Sequence, residues 1–154
     1  LMFDIDRFKL INDRHGHAAG DRALCRMAAL CREQLRPTDL VARWGGEEFV
    51  ALLPNLTLER AGGVADRLRR AVAETLNDSG KAEPGFTISI GLVACSPGET
   101  LEALLSRADA ALYDAKLDGR DRVVVVAAPP GSLCPGPARC PVVQGKLPAA
   151  LYGC

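Results

Sequence analysis

The sequence carries no excess of either charge: nineteen lysines and arginines stand against nineteen aspartates and glutamates. That balance removes the whole-chain electrostatic footprint for nucleic acid or an anionic membrane, so no nucleic-acid partner is expected and any polyanion site must be local. Long apolar runs are missing too. Nothing approaches the roughly 20 residues needed to cross a bilayer, and no charged-then-apolar leader opens the chain, so a soluble, cytoplasmic domain is expected. Cysteines at metal-ligand spacing are absent: Cys25, Cys31 and Cys95 lie singly among apolar residues and read as reduced, mostly buried thiols. His15 and His17 are the only histidines, a loose fit to a metal pair and a better one to polar loop residues. There is no initiator Met, and Leu1-Met2-Phe3 starts inside an apolar run, which reads as a piece of something longer.

What the sequence does have is apolar content for one core, 48% hydrophobic over 154 residues, and one compact domain is expected. Its organising stretch is Arg43-Trp44-Gly45-Gly46-Glu47-Glu48-Phe49-Val50. Leu40-Val41-Ala42 leads in as a strand and Phe49 to Leu53 leads out as another, covered on both faces, so the adjacent glycines read as a tight hairpin turn. Glycine there permits positive φ and lets a ligand approach the main chain. Two adjacent carboxylates beside a bare turn repel each other, which makes a divalent cation a natural partner. A plain turn followed by a solvated strand end is the alternative that these four residues alone leave open.

Along the chain, Leu1 to Asp6 reads as a strand with Asp4 and Asp6 on one face and Ile5 on the other. A carboxylate at the end of a buried strand needs a partner, so Asp4 is a candidate metal ligand, and Asp6 is equally a candidate N-cap. Arg7 to Asp13 reads as a short helix whose N-terminus and Lys9 favour phosphate, with a solvated lysine as the alternative. His15 to Asp21 is a glycine-punctuated connection in which Asp21 can cap a helix from Arg22 to Leu35. That helix buries Leu24, Met27, Ala28, Cys31 and Leu35. Arg36 and Asp39 are spaced for a local ion pair. Thr57 caps the next helix, with an apolar stripe from Ala61 to Leu76, and Asn77 to Gly85 is a surface loop. Phe86 to Leu92 alternates as a strand with Thr87, Ser89 and Gly91 on a small face, where a neighbour packs closely or a ligand sits. Thr100 opens a last helix burying Leu101 to Ala115, with Lys116 and Arg120 four apart at its end, and Val123 to Val126 closes the domain as a buried strand. From Ala127 to Cys154 the prolines and glycines break any pattern, and a disordered tail is expected, in which Cys134 and Cys140 could pair if oxidised.

Five separated motifs, spread in order over residues 1 to 126, closely resemble those of GGDEF-domain diguanylate cyclases. They are Asp4-Ile5-Asp6-Arg7-Phe8-Lys9-Leu10-Ile11-Asn12-Asp13, Gly16-His17 to Gly20-Asp21, Gly45 to Phe49 in the GGEEF spelling, Ser89-Ile90-Gly91, and Ala108-Asp109 through Leu112-Tyr113, Ala115-Lys116 and Gly119-Arg120. The resemblance implies a nucleotidyltransferase that condenses two GTP into cyclic di-GMP. It implies Mg²⁺ or Mn²⁺ held by Asp4, the Ile5 carbonyl and Glu47, with Glu48 assisting and Glu47 as the base. Phe8, Lys9, Lys116 and Arg120 would cradle phosphates, Asn12 and Asp21 would meet the guanine, and Gly45 and Gly46 would line the substrate. Strand alternation suggests that Glu47 and Glu48 do not both reach one metal directly unless the turn distorts them, and the metal is assigned to Glu47.

One domain presents one GTP, so the resemblance implies a homodimer assembled by an upstream sensory or dimerising region, through which the longer protein could be anchored to a membrane. Arg36, Asp39 and Arg67 fall where the family has its product-inhibition site. A catalytically silent module binding GTP or cyclic di-GMP, or an inactive fragment, is the alternative. The family's leading segment, with its Asp-x-Leu-Thr and Asn-Arg motifs, has no counterpart here, so one sheet face is expected to be uncovered, and Asp121 stands where the family has Asn. The expected fold is an α/β sandwich of the polymerase-palm or nucleotide-cyclase type, a mostly antiparallel sheet with a ferredoxin-like βααββαβ core, catalytic over residues 1–126 with a tail at 127–154.

Overall fold

A computed structural model describes residues 1–77 and 84–128. The strands are β1 (Met2–Ile5), β2 (Leu40–Gly45), β3 (Glu48–Leu52), β4 (Ile88–Val93) and β5 (Val123–Val126), and the helices α1 (Phe8–His15), α2 (His17–Gln34), α3 (Leu58–Ala73) and α4 (Leu101–Leu117). One sheet runs in the order β2-β3-β1-β4-β5. Its β2–β3, β3–β1 and β1–β4 pairings are antiparallel and only β4–β5 is parallel, so the expected mostly antiparallel α/β architecture is present. The central strand is β1, and whatever projects from its end lies at the middle of the sheet.

Alternation sorts β1 into two faces. Phe3 and Ile5 enter the main core beneath α2 and α3, with Met27, Cys31, Leu68 and Val72 fully buried against Phe49, Ile88 and Ile90. Phe3 stacks on its cross-strand partner Phe49, with ring centroids 5.6 Å apart. On the opposite face Met2 and Val50 meet Ala108 and Leu112 of α4. Gly91 of β4 lets α4 lie that close, because a Cβ there would overlap the Ala108 carbonyl oxygen and fall 2.5 Å from the Leu112 nitrogen. The small face of β4 is therefore filled by a helix. Cover is thinner over β2, where Leu40 is 48% exposed, than over β3, where Phe49, Val50 and Ala51 are buried.

Several local expectations shift. Residues 15–21 are mostly helical, because only Gly16, at φ 82°, breaks the path between α1 and α2. Ala18 and Ala19 favour helix, so Asp21 lies inside α2 and caps nothing. Asp6 is not an N-cap either; Arg7 holds that position at φ 57° without a side-chain cap. In the hairpin, Gly45 pairs with Glu48 after a register shift, so the turn residues are Gly46 and Glu47. Phe86 is buried but precedes β4, held by Thr75, whose hydroxyl accepts the Phe86 N–H at 3.2 Å. The α3 stripe stops at Val72: α3 gives way to a 3-10 turn at Glu74–Asn77, and Leu76 is 52% exposed. Leu101, at the start of α4, is exposed rather than buried. The strand β5 is an edge with Val125 and Val126 exposed, not a buried strand, and Cys25 is exposed while Cys31 is buried. Most of the expected loop and tail, including Cys134, Cys140 and Cys154, lies outside the described residues.

Candidate active site

Two strand ends and one helix end meet at the middle of the sheet. Asp4 of β1 is the direct cross-strand partner of Glu48 of β3, so two carboxylates face each other on one side of the ladder. Like charges so placed destabilise a sheet unless a cation intervenes. Here Lys116, from the last turn of α4, brings its Nζ to 3.0 Å from Asp4 Oδ2. Burial is the main cause that pushes the Asp4 carboxyl up to about 6; Lys116 opposes it, and Glu47 and Glu48 each add to it. Both glutamates thus lie within electrostatic reach of Asp4. Glu47 escapes the strand alternation by sitting in the turn, which makes the separation expected from alternation inapplicable.

The turn itself is braced by Arg43, whose Nε donates to the Gly46 carbonyl at 2.8 Å. Gly46 needs its freedom, at φ 50°. Gly45 does not: its φ is ordinary and an added Cβ would meet nothing within 4 Å. The fold makes no demand for glycine at residue 45.

Next to this cluster the chain turns from β1 into α1. With no side-chain cap and no acidic residue in its first turn, α1 leaves early N–H groups for an anion, and Lys9 is exposed beside them. Phe8 and Asn12 lean over α2 at Gly20, where a Cβ would overlap the Asn12 amide oxygen and lie 3.1 Å from the Phe8 ring. Asn12 thus packs against α2 at Gly20, the residue before Asp21.

Whether a divalent cation fits can be judged from the donors. Among the described residues no three His, Cys, Asp or Glu side chains are grouped to hold one, and His15 and His17 are exposed. Mg²⁺ asks less of the protein, since one or two carboxylates plus substrate phosphates complete its shell. The Ile5 N–H donates to the Glu47 carbonyl at 3.4 Å, and the reciprocal bond to the Ile5 carbonyl is not formed among the described backbone hydrogen bonds. Asp4, that carbonyl and Glu47 or Glu48 are a hard oxygen set that suits Mg²⁺ or Mn²⁺.

Arg120 does not continue α4. The helix ends at Leu117, and Gly119, Arg120 and Asp121 all have positive φ, so helical spacing from Lys116 no longer applies. Sequence reasoning missed what fixes this turn. The Asp6 carboxylate is buried and accepts the Thr87 and Ser89 hydroxyls at 2.7 Å each, together with the Asp121 N–H at 3.1 Å. Polar residues alternating on adjacent strands were the available signal.

The Arg36–Asp39 pair forms as its spacing suggests, with Nη2 2.6 Å from Oδ1 and the Asp39 side chain fully buried. Arg36 also donates to the Pro54 carbonyl, and Arg67 donates to the Gln34 carbonyl at 2.6 Å, so both arginines converge on the α2–β2 turn. That turn is at the other end of β2 from the hairpin, about 17 Å away at strand rise.

The class that these features define is an α/β domain with a mostly antiparallel sheet that gathers carboxylates beside a glycine hairpin at its centre, one of them paired with Lys116 of α4. The family described as "Diguanylate cyclase, GGDEF domain" matches residues 1–122. Diguanylate cyclase DgcM of Escherichia coli (strain K12) is 47% identical over 124 residues, 80% of this chain and 30% of that protein. Diguanylate cyclase DgcP of Pseudomonas aeruginosa is 48% identical over 125 residues, 80% of this chain and 18% of that protein. Among solved structures, the diguanylate cyclase SiaD in complex with its activator SiaC, from Pseudomonas aeruginosa, aligns at TM-score 0.76 and 44% identity over 81% of this chain and 48% of that one. The GGDEF domain of DgcB from Caulobacter crescentus in complex with c-di-GMP aligns at TM-score 0.74 and 32% identity, covering 80% and 74%. The chain belongs to the GGDEF-domain family of diguanylate cyclases. It spans less than a third of the length of these two cyclases.

Proposed function

We propose that this domain condenses two molecules of GTP into cyclic di-GMP with release of two pyrophosphates. The observation that carries the reading is the Asp4–Glu48 like-charge pair beside a glycine that the fold does not require, with Glu47 in the turn between them. In each half-reaction the 3′-hydroxyl of one GTP attacks the α-phosphorus of the other, its proton passes to Glu47, and the bond to pyrophosphate breaks. Asp4, the Ile5 carbonyl and Glu47, with Glu48 assisting, would hold Mg²⁺ or Mn²⁺, which when bound supplies positive charge to the transferring phosphoryl group. Lys9, Lys116, Arg120 and the α1 N-terminus, with Phe8, bind and orient the triphosphate, while Asn12 and Asp21 meet the guanine. Gly45 and Gly46 keep the space over the turn clear.

One such domain holds one GTP, so turnover takes two copies facing each other, brought together by an upstream sensory or dimerising region in the cytoplasm. Cyclic di-GMP returns as an inhibitor at Arg36, Asp39 and Arg67, remote from the hairpin. The DgcB complex with c-di-GMP supports the ligand class.

The test is to incubate the purified chain, and a version fused to a dimerising coiled coil, with GTP and Mg²⁺ and to read product by mass spectrometry. Dinucleotide and pyrophosphate from the dimer, lost in Glu47→Gln, are expected. Nucleotide binding without product would make it a binding module, and neither would refute the assignment. Gly45→Ala separates fold from site: melting should be unchanged while GTP affinity falls. Arg36→Ala should leave turnover intact and relieve product inhibition; equal inhibition in parent and variant would refute that role.

A further inference from the structure

Three successive residues at positive φ, Gly119, Arg120 and Asp121, follow α4, and two of them are not glycine. L-residues adopt this conformation only where their surroundings over-determine it, and such places cluster at functional sites. Here the ties are explicit. The Arg120 N–H donates to the Ala115 carbonyl at 3.0 Å and its own carbonyl accepts from Arg122 Nε at 3.1 Å. The Asp121 carboxylate pairs with Arg69 of α3 at 2.8 Å. From below, the Asp121 N–H donates to the buried carboxylate of Asp6, which Thr87 and Ser89 hold in place through its two oxygens. Asp6 lies two residues beyond Asp4 and takes no part in the proposed chemistry.

We propose that Asp6 is a positioning residue for the nucleotide phosphates: its carboxylate pins the left-handed turn at Asp121 and so fixes the backbone from which Arg120 projects, just past the end of α4 that carries Lys116. The inference rests on the reading of Arg120 as a phosphate contact. A charge argument separates it from general electrostatics. Removing a negative charge two residues from Asp4 would by itself favour a polyanion, so weaker triphosphate binding in Asp6→Asn runs against the field and reports lost positioning.

The experiment measures affinity of the full chain for a non-hydrolysable GTP analogue with Mg²⁺ by calorimetry, and for guanosine by NMR, well below each variant's melting point. Arg120→Ala should weaken the analogue about tenfold, as loss of a charge-assisted contact does. Asp6→Asn should weaken it roughly threefold to tenfold with guanosine unchanged, and the double variant should bind within about twofold of Arg120→Ala alone, because coupled residues are not additive. Should Asp6→Asn not fold, Arg69→Gln loosens the same turn from α3 and should give a smaller loss that vanishes in the Arg120→Ala background. Unchanged analogue binding in the folded positional variants, losses that multiply, or an equal loss for guanosine would each overturn the inference while sparing Arg120. An Arg120→Ala protein that binds like the parent would overturn Arg120's role, and this inference with it.

Discussion

The closeness of α4 to the sheet predicts the cost of a single methyl at Gly91. An ideal Cβ there overlaps the Ala108 carbonyl oxygen and stands 2.5 Å from the Leu112 nitrogen and 3.0 Å from the Ala111 carbonyl carbon. Ordinary carbon contacts are about 3.5–4.0 Å, so α4 must move by roughly 1 Å, and the obstructing atoms are helix backbone that no rotamer change removes. A gap of that size forfeits a quarter to a half of each contact beneath the helix. Five α4 residues are buried, from Leu104 to Ala115, so Gly91→Ala should cost about 3 kcal/mol, at the top of the overpacking range. For a domain of this size that lowers Tm by roughly 10 °C, read by circular dichroism. Gly63 of α3 is the matched control. It is exposed and a Cβ there meets nothing within 4 Å, so Gly63→Ala should stabilise by about 0.5–1 kcal/mol. If Gly91→Ala melts within about 2 °C of the parent, or if both substitutions move Tm the same way, the packing argument is refuted.

Two further predictions concern ionisable groups. Burial raises the Glu99 carboxyl, but hydrogen bonds and charge from Arg107 and the Ser96 N–H outweigh it and hold it below the usual range. Its contribution, about 1.5–3 kcal/mol for charged hydrogen bonds, is full above the unfolded value near 4.3 and lost as pH falls through the folded value. The stability gap between parent and Glu99→Gln in urea melts should therefore be open at pH 7 and close in acid; a gap independent of pH refutes the pairing. Burial pushes the Cys31 thiol up to about 12, so iodoacetamide at pH 8 should label exposed Cys25 and spare Cys31 until the fold is opened by denaturant; equal labelling would refute the burial of α2.

The sequence made the elements legible wherever one period dominated. The α3 and α4 stripes, the Thr57 and Thr100 caps and the alternation in β4 were all visible, because each is a local preference that packing reinforces. What failed were places where tertiary contacts chose between local options. Asp21 looks like a cap until the helix is seen to continue through Ala18 and Ala19. Thr87, Ser89 and Gly91 leave open a close neighbour or a ligand, and tertiary contacts decide for the neighbour: two of them serve Asp6 and the third admits α4. Val125 and Val126 look buried because an edge strand and a central one share a composition. Asp4 facing Glu48 was invisible, since cross-strand register depends on where the turn falls, and that turn is one residue later than the glycines suggest.

Asp4 and Asp6 show why two identical carboxylates on one strand face take different parts. Each is buried and each must be compensated. Asp6 is satisfied by two hydroxyls and a backbone N–H, donors fixed in β4 and in the turn after α4, and it could accept a different partner only by breaking the fold's own bonds. Asp4 is satisfied by one long side chain, Lys116, which is 30% exposed and can swing into solvent without disturbing α4. A buried charge whose partner can leave is costly when alone, and it therefore binds an incoming cation at the expense of an interaction already weakened by solvent. Exchange is open at Asp4 and closed at Asp6. The same difference assigns the proposed ligand role to the first and the positioning role to the second, without reference to their order in the motif.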